Sequence, residues 1–216
     1  PFKAILFDLG HTLIYFAGDF DRVIGEATQY LAENLRGLGY ALEPAEFVPL
    51  YQENLGAYYR QRNQDLLESG AVSVLEHTLQ SLAIAGASPE MLSEALKAFF
   101  EVTQSYWQVV DRAPEILDVL YLRGYRMGIL SNASSDFDVQ RLVDKAGLRS
   151  CLEFVLTSAA VGYRKPHPLV FQRAIRAFDL PPAQIALVGD QMDTDILGGN
   201  QVLCQTELSR PDFFVR

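Results

Sequence analysis

Four stretches of this chain set polar side chains of reactive types at, or just beyond, the end of a short apolar run. Asp8 closes the run in FDLGHTL, and Ser131 and Asn132 follow the one in GILSNAS. Lys165 lies in GYRKPHPLVF, and Asp190, with Asp193 and Asp195 close behind, lies in LVGDQMDTDI. A carboxylate such as Asp8 can attack phosphorus and take a phosphoryl group as an acyl phosphate. Carboxylate and phosphate are both anions, so their repulsion must be offset. Mg²⁺ held by oxygen ligands such as Asp8 and Asp190 would offset it. The Lys165 ammonium would add a second positive charge beside the nucleophile. The Ser131 hydroxyl and nearby backbone N–H groups would bind phosphoryl oxygens.

Each piece alone has an ordinary structural reading. An Asp after an apolar strand caps the next segment, Ser-Asn is common turn chemistry, and a Lys before Pro is usually solvated. Acids near a helix start are favourable in themselves. The order and spacing of all four make the functional reading the stronger one.

The elements that must position these groups follow from periodicity. Residues 2–8 form an apolar run ending in an acid, as in a buried parallel strand with a functional group at its carboxyl end. From about residue 19 to 106 the spacing is helical. Val23, Ile24, Ala27, Leu31 and Leu35 form one stripe, and Phe47, Leu50, Tyr51 and Leu55 another. Val74, Leu75, Leu82 and Ile84 follow, then Leu92, Ala95, Leu96, Phe99 and Phe100 behind Ser88 as N-cap and Pro89 in the first turn. This reads as a bundle of about four helices. After residue 111 helices at 114–123, 137–146 and 169–178 alternate with strands at 125–130, 152–156 and 185–188, and 204–208 is a fifth candidate strand, polar enough for an edge. Alternation of this kind means βαβ units and a parallel sheet. The expected fold is therefore α/β: a Rossmann-like, doubly wound parallel sheet core (residues 1–16 and 111–216) with an inserted α-helical bundle (17–110). Ligands of such sheets bind outside the carboxyl ends of the strands, where all four stretches lie.

At 216 residues the chain suffices for one such core with a smaller insert. A net charge of -9 argues against a nucleic-acid partner but leaves room for a small phosphorylated substrate. Cys151 and Cys204 are too few and too far apart for a disulfide framework. No apolar run reaches the ~18 residues of a membrane span, and the chain opens on a strand rather than a signal peptide. A cytoplasmic protein without membrane attachment is expected; its oligomeric state is not legible.

In order and spacing these motifs resemble the haloacid dehalogenase-like (HAD) hydrolase superfamily. Its pattern is a strand ending in DxDxT, a strand ending in Ser or Thr, a Lys often followed by Pro, and a strand ending in GDxxxD or GDxxxxD. Here these are Asp8 with Thr12, Ser131, Lys165-Pro166, and Gly189-Asp190 with Asp195. The helical insert matches the family's α-helical C1-type cap. The resemblance implies a Rossmann-like core, Mg²⁺ dependence and an aspartyl-enzyme intermediate on Asp8. It makes Asp8, the Gly10 carbonyl and Asp190 metal ligands, with Asp195 and Asp193 completing or orienting the shell. Ser131, with Asn132 and Thr12, would face the substrate phosphate, and Lys165 would steady the charge on Asp8.

One departure matters. The second Asp of DxDxT, the family's general acid and base, is Gly10 here. Glycine cannot transfer a proton, a function commonly worth ~10²–10⁴-fold in rate. His11 is a candidate substitute, against a packing role beside the insert. The missing acid also admits a metal-independent 2-haloacid dehalogenase and a catalytically degenerate HAD-like binding protein. A phosphonatase is disfavoured, because the one Lys between 19 and 106 is Lys97, in a helical pattern. The favoured expectation is a Mg²⁺-dependent phosphatase of a small phosphorylated metabolite.

Overall fold

In the computed structural model residues 2–202 and 204–208 are described. In chain order the elements are β1 (Ala4–Phe7), β2 (Ile14–Phe16), α1 (Phe20–Gly37), α2 (Pro44–Asp65), α3 (Gly70–Ser81), α4 (Pro89–Gln104) and β3 (Trp107–Val109). Then come α5 (Ala113–Leu122), β4 (Arg126–Ser131), α6 (Asp136–Lys145), β5 (Phe154–Thr157), α7 (Ser158–Val161), α8 (Pro168–Phe178), β6 (Ile185–Gly189), α9 (Leu197–Gln201) and β7 (Gln205–Leu208). The chain divides into two compact units. Among the described residues, one takes in the N-terminal stretch through Phe16, Leu66–Glu68, and the chain from Gln108 to Leu208; the other takes in Ala17–Asp65 and Ser69–Trp107. Against the expected insert of 17–110, Leu66–Glu68 and the residues from Gln108 group with the sheet.

Among the described residues the first unit holds a five-stranded sheet in the order β5-β4-β1-β6-β7, with parallel pairing throughout. β1 is central, and its four residues, Ala-Ile-Leu-Phe, are all buried. A strand covered on both faces needs such an uninterrupted apolar run. Phe7 lies level with Ile129 of β4 and Val188 of β6, so Asp8 comes next along the sheet, level with Leu130 and Gly189. The Asp8 N–H continues the ladder to the Val188 carbonyl at 2.8 Å. Beneath, Ala4, Leu6, Leu130 and Leu187 pack against Val170, Phe171, Ala174 and Phe178 on the apolar face of α8.

The second unit is helical and has its own core of Leu31, Leu35, Phe47, Tyr51, Leu75, Leu96 and Phe99, among others. Phe47 stacks on Tyr51 at 5.5 Å, and Phe99 meets Tyr51 edge-on at 6.0 Å. Ser88 caps α4, its hydroxyl accepting the Met91 N–H at 3.3 Å, as its sequence implies. Two three-residue strands, β2 and β3, pair as a separate ribbon. They escape a reading by periodicity because three residues cannot display an alternation. No helix among the described residues is long and apolar enough to cross a membrane.

Candidate functional site

The strand ends bring the reactive side chains together as parallel register requires. Asp8 follows central β1, Ser131 ends β4 on one side, and Asp190 follows β6 on the other. Lys165 arrives from the loop between α7 and α8. Its ammonium lies 2.5 Å from Asp8 Oδ1 and 2.6 Å from Asp195 Oδ1. Lys165 is 3% exposed and Asp195 1%, so these are desolvated charge-assisted bonds in which each ion depends on its partner.

Local backbone explains how Asp195 gets there. After Gln191 the chain turns through a π-helical segment, Met192–Ile196, where the Ile196 N–H reaches the Gln191 carbonyl at 3.3 Å and the Asp195 N–H shares that carbonyl at 2.9 Å. Such wide turns recur at functional sites. The Asp195 carboxylate then folds back on the end of β6, where Oδ2 accepts the Gln191 N–H at 3.1 Å. A side chain on residue 189 would overlap that carboxylate, so Gly189 is required by close approach rather than by its dihedral angles. Both Asp195 oxygens are thus engaged, one by Lys165 and one by the backbone. Asp8 gives Lys165 only Oδ1.

Three carboxylates face one ammonium here. One oxygen each from Asp8, Asp190 and Asp195 lie within 4.8 Å of one another. Burial pushes the Asp8 carboxyl up to about 6 from its usual range; Lys165 opposes this, and the nearby Asp195 adds to it. Asp190, half-buried, is raised by burial and by Asp195, with His11 and Lys165 pulling the other way. For Lys165 burial disfavours the charged form, but Asp8 and Asp195 outweigh it and the net shift is upward. The excess negative charge and the hard oxygen donors suit a divalent cation such as Mg²⁺; a sulfur- or imidazole-preferring metal would find no thiolate in this cluster.

The other expected site residues fare differently. Ser131 is buried at the end of β4. Asn132, expected to face substrate, commits its amide to Lys165: Oδ1 accepts the Lys165 N–H at 2.8 Å, and Nδ2 donates to the Lys165 carbonyl at 3.1 Å. Its place is as a clamp on the lysine backbone. Thr12 is 1% exposed, and its hydroxyl has no hydrogen-bond partner among the described residues. It sits inside a tight loop in which the Leu13 N–H reaches the Leu9 carbonyl at 2.9 Å and the Thr12 N–H reaches it at 3.3 Å. Gly10 bridges Ile14 in the same loop. His11 is exposed, in the left-handed region at φ 59°, and close enough to Asp190 to act on its charge. Asp193 is exposed. Sequence reasoning missed Glu68 and Arg164, which lie in a buried ion pair beside Lys165 at 3.3 Å. Nothing in the string DLLESG marks that glutamate, because its partners are 90 and 96 residues away.

The shared ammonium yields a stability test in metal-free protein. Lys165→Met leaves Asp8 and Asp195 buried without their counter-charge, a loss of about 3–5 kcal/mol. Because the Asp8 pKa is raised on folding, its contribution favours the fold below the unfolded value of 3.8 and is lost as pH rises through about 6. Without Lys165 that pKa rises further. The loss in unfolding free energy measured by urea titration in EDTA is therefore larger at pH 8 than at pH 5; equal losses at both would show that Asp8 does not titrate in this window.

A family model described as haloacid dehalogenase-like hydrolase matches residues 2–202. A phosphoserine phosphatase of Thermus thermophilus is 33% identical over 147 residues, 68% of this chain and 58% of that protein, so the match spans less than two thirds of the relative's own length. A glyceraldehyde 3-phosphate phosphatase of Pyrococcus abyssi is 26% identical over 207 residues, covering 94% of this chain and 79% of the relative. In fold, the crystal structure of a 2-haloacid dehalogenase from Pseudomonas syringae pv. Tomato DC3000 superposes with a TM-score of 0.66 at 20% identity, over 95% of this chain and 85% of that one. A match to the family over nearly the whole chain, joined to a parallel sheet whose central strand delivers Asp8 onto a buried lysine, places this protein in the haloacid dehalogenase-like hydrolase family.

Proposed function

We propose that this chain is a Mg²⁺-dependent phosphatase of a small phosphorylated metabolite, working through an aspartyl-phosphate on Asp8. The observation that carries the reading is the Lys165 ammonium shared between Asp8 and Asp195, with Asp190 completing a three-carboxylate cluster. Relatives named as phosphatases, among them the Thermus and Pyrococcus proteins, support it. Mg²⁺ held by Asp8, Asp190 and the Gly10 carbonyl, with Asp195 orienting that shell, would supply the positive charge that lets a carboxylate approach a phosphate.

The chain's own residues then have distinct tasks. An Asp8 carboxylate oxygen attacks phosphorus and forms an acyl phosphate as the bond from phosphorus to the ester oxygen breaks. Lys165 holds the Asp8 carboxylate in one rotamer and takes up part of the charge at the centre. Asn132 fixes Lys165 from behind by its two backbone contacts. Ser131 and backbone N–H groups after β4 bind non-bridging oxygens. Water then attacks phosphorus, the bond to Asp8 breaks, and inorganic phosphate leaves with the carboxylate restored. With Gly10 in place of an acid, the departing oxygen takes its proton from solvent, so the reaction favours leaving groups that are stable as anions. Two free, buried cysteines fit a reducing compartment such as the cytoplasm.

Three outcomes test this reading. Hydrolysis of p-nitrophenyl phosphate falls to background in Asp8→Asn and in EDTA, and Mg²⁺ restores the wild type; turnover indifferent to EDTA removes the phosphatase assignment, and chloride release from 2-chloropropionate would replace it with a dehalogenase. Mg²⁺ at about 100 times its Kd stabilises the protein by about 2.7 kcal/mol at pH 7.5. Asp8 and Asp190 both have raised pKa values, so protons compete with the cation and the gain shrinks as pH falls through about 6; thermal melts with and without Mg²⁺ at pH 5 and 7.5 would show it. Finally, Gly10→Asp raises turnover of alkyl phosphates, by up to roughly 10²-fold, with little effect on p-nitrophenyl phosphate. An unchanged alkyl phosphate rate in the folded variant would mean that proton donation to the leaving group is supplied elsewhere.

A further inference from the structure

The stretch between α2 and α3, Leu66–Glu68, groups with the sheet-bearing unit although the helices on either side of it do not. It lies alongside residues 162–164, just before Lys165. Leu67 bridges Tyr163 in antiparallel sense. The Glu68 N–H donates to the Gly162 carbonyl at 3.0 Å, and the Arg164 N–H donates to the Leu66 carbonyl at 3.0 Å. This pairing carries the Glu68 side chain inward, where the residue is 5% exposed.

That buried carboxylate joins the start of α7 to the loop that follows it, and reaches the β4 loop through Ser158. Glu68 Oε2 accepts from Ser158 Oγ at 2.8 Å and from Arg164 Nη1 at 3.3 Å. Ser158 Oγ in turn accepts the Ala133 N–H at 2.8 Å. Arg164 immediately precedes Lys165, and Ala133 follows Ser131-Asn132 at the end of β4. Asn132 already ties these two loops together through the Lys165 backbone. Glu68 and Ser158 together make a second tie between them: Ser158 holds the β4 loop at Ala133, and Glu68 holds Ser158 to Arg164. Desolvating an ionised carboxylate is costly unless its bonds are made. The bonds are directional, so they fix where Lys165 and the β4 loop stand in a way that an apolar contact would not.

We propose that Glu68 is a positioning residue for the site, holding the loops that carry Lys165 and Ser131 in register. Its catalytic consequence rests on the phosphatase reading; its structural consequence does not. Glu68→Gln keeps the shape and one acceptor oxygen but removes the charge. Hydrogen exchange in this variant is expected to be about tenfold faster at the Arg164 and Ala133 amides and unchanged in β1. The kcat for p-nitrophenyl phosphate is expected to fall about 10- to 100-fold with KM unchanged. Ser158→Ala, which breaks only the branch to Ala133, accelerates exchange at Ala133 and not at Arg164, and serves where Glu68→Gln does not fold. The double variant loses no more activity than the worse single one, because both changes cut one network. Unaltered exchange at both amides in folded Glu68→Gln overturns the proposal, as does faster exchange with an unchanged kcat. A wild type that turns over no phosphate ester sinks the phosphatase reading, while the exchange rates still decide whether Glu68 positions the loops.

Discussion

A single ammonium group, Lys165 Nζ, is shared between two buried carboxylates, and the arrangement of the rest of the site depends on it. A lysine 3% exposed is tolerable only if its charge is matched and its N–H bonds are made. Asp8 and Asp195 do both. In return the lysine allows two acids to sit close together without both being forced to protonate. Burial still pushes Asp8 to about 6, so the balance is close. Asp190 at the edge of the cluster leaves the group net negative, which is the electrostatic reason for expecting a cation.

The fold meets this constraint through sheet register. Parallel pairing puts the ends of β4, β1 and β6 at the same edge of the sheet, and each end contributes a different chemical type: a hydroxyl, a carboxylate, and a Gly-Asp turn. The lysine comes from a loop outside the sheet, so it needs its own anchors. It has a clamp from Asn132 on its backbone and an ion pair between Glu68 and the adjacent Arg164. Covering such a loop from a segment that lies between two helices of the insert gives the sheet-bearing unit a residue that its own sequence neighbourhood does not supply.

The boundary between what the sequence discloses and what it conceals follows from the range of each interaction. β1 is legible because a central strand must be apolar at every position and because Asp8 interrupts the run. The insert is legible from helical spacing, and α4 from its cap. The association of Asp8 with Lys165, 157 residues apart, can be anticipated only by placing both at the strand ends. Asn132 looks like turn chemistry or a substrate contact, since an amide has the same atoms for either, and only coordinates show both of its ends on Lys165. Leu66–Glu68 cannot be separated from the helices around it by pattern, because a three-residue pairing leaves no periodicity. The β2–β3 ribbon is hidden for the same reason.

The glycine at position 10 also takes on meaning through charge. Three carboxylates and one ammonium leave two negative charges when all are ionised, which one divalent cation neutralises. An additional acid at position 10 would unbalance that arrangement and favour its own protonated form, the state a proton donor to the leaving group needs. Without it, the site with its proposed cation is neutral before substrate arrives. On the proposed reading the dianion of a phosphate ester would then meet no net repulsion, while the departing oxygen would receive no help from a side chain at that position. Electrostatic acceptance of the phosphoryl group and assistance to the leaving group are therefore separable in this architecture. On the proposed phosphatase reading, this chain keeps the residues for the first and lacks the family's residue for the second, and the selection of substrates would then rest on the stability of the leaving anion.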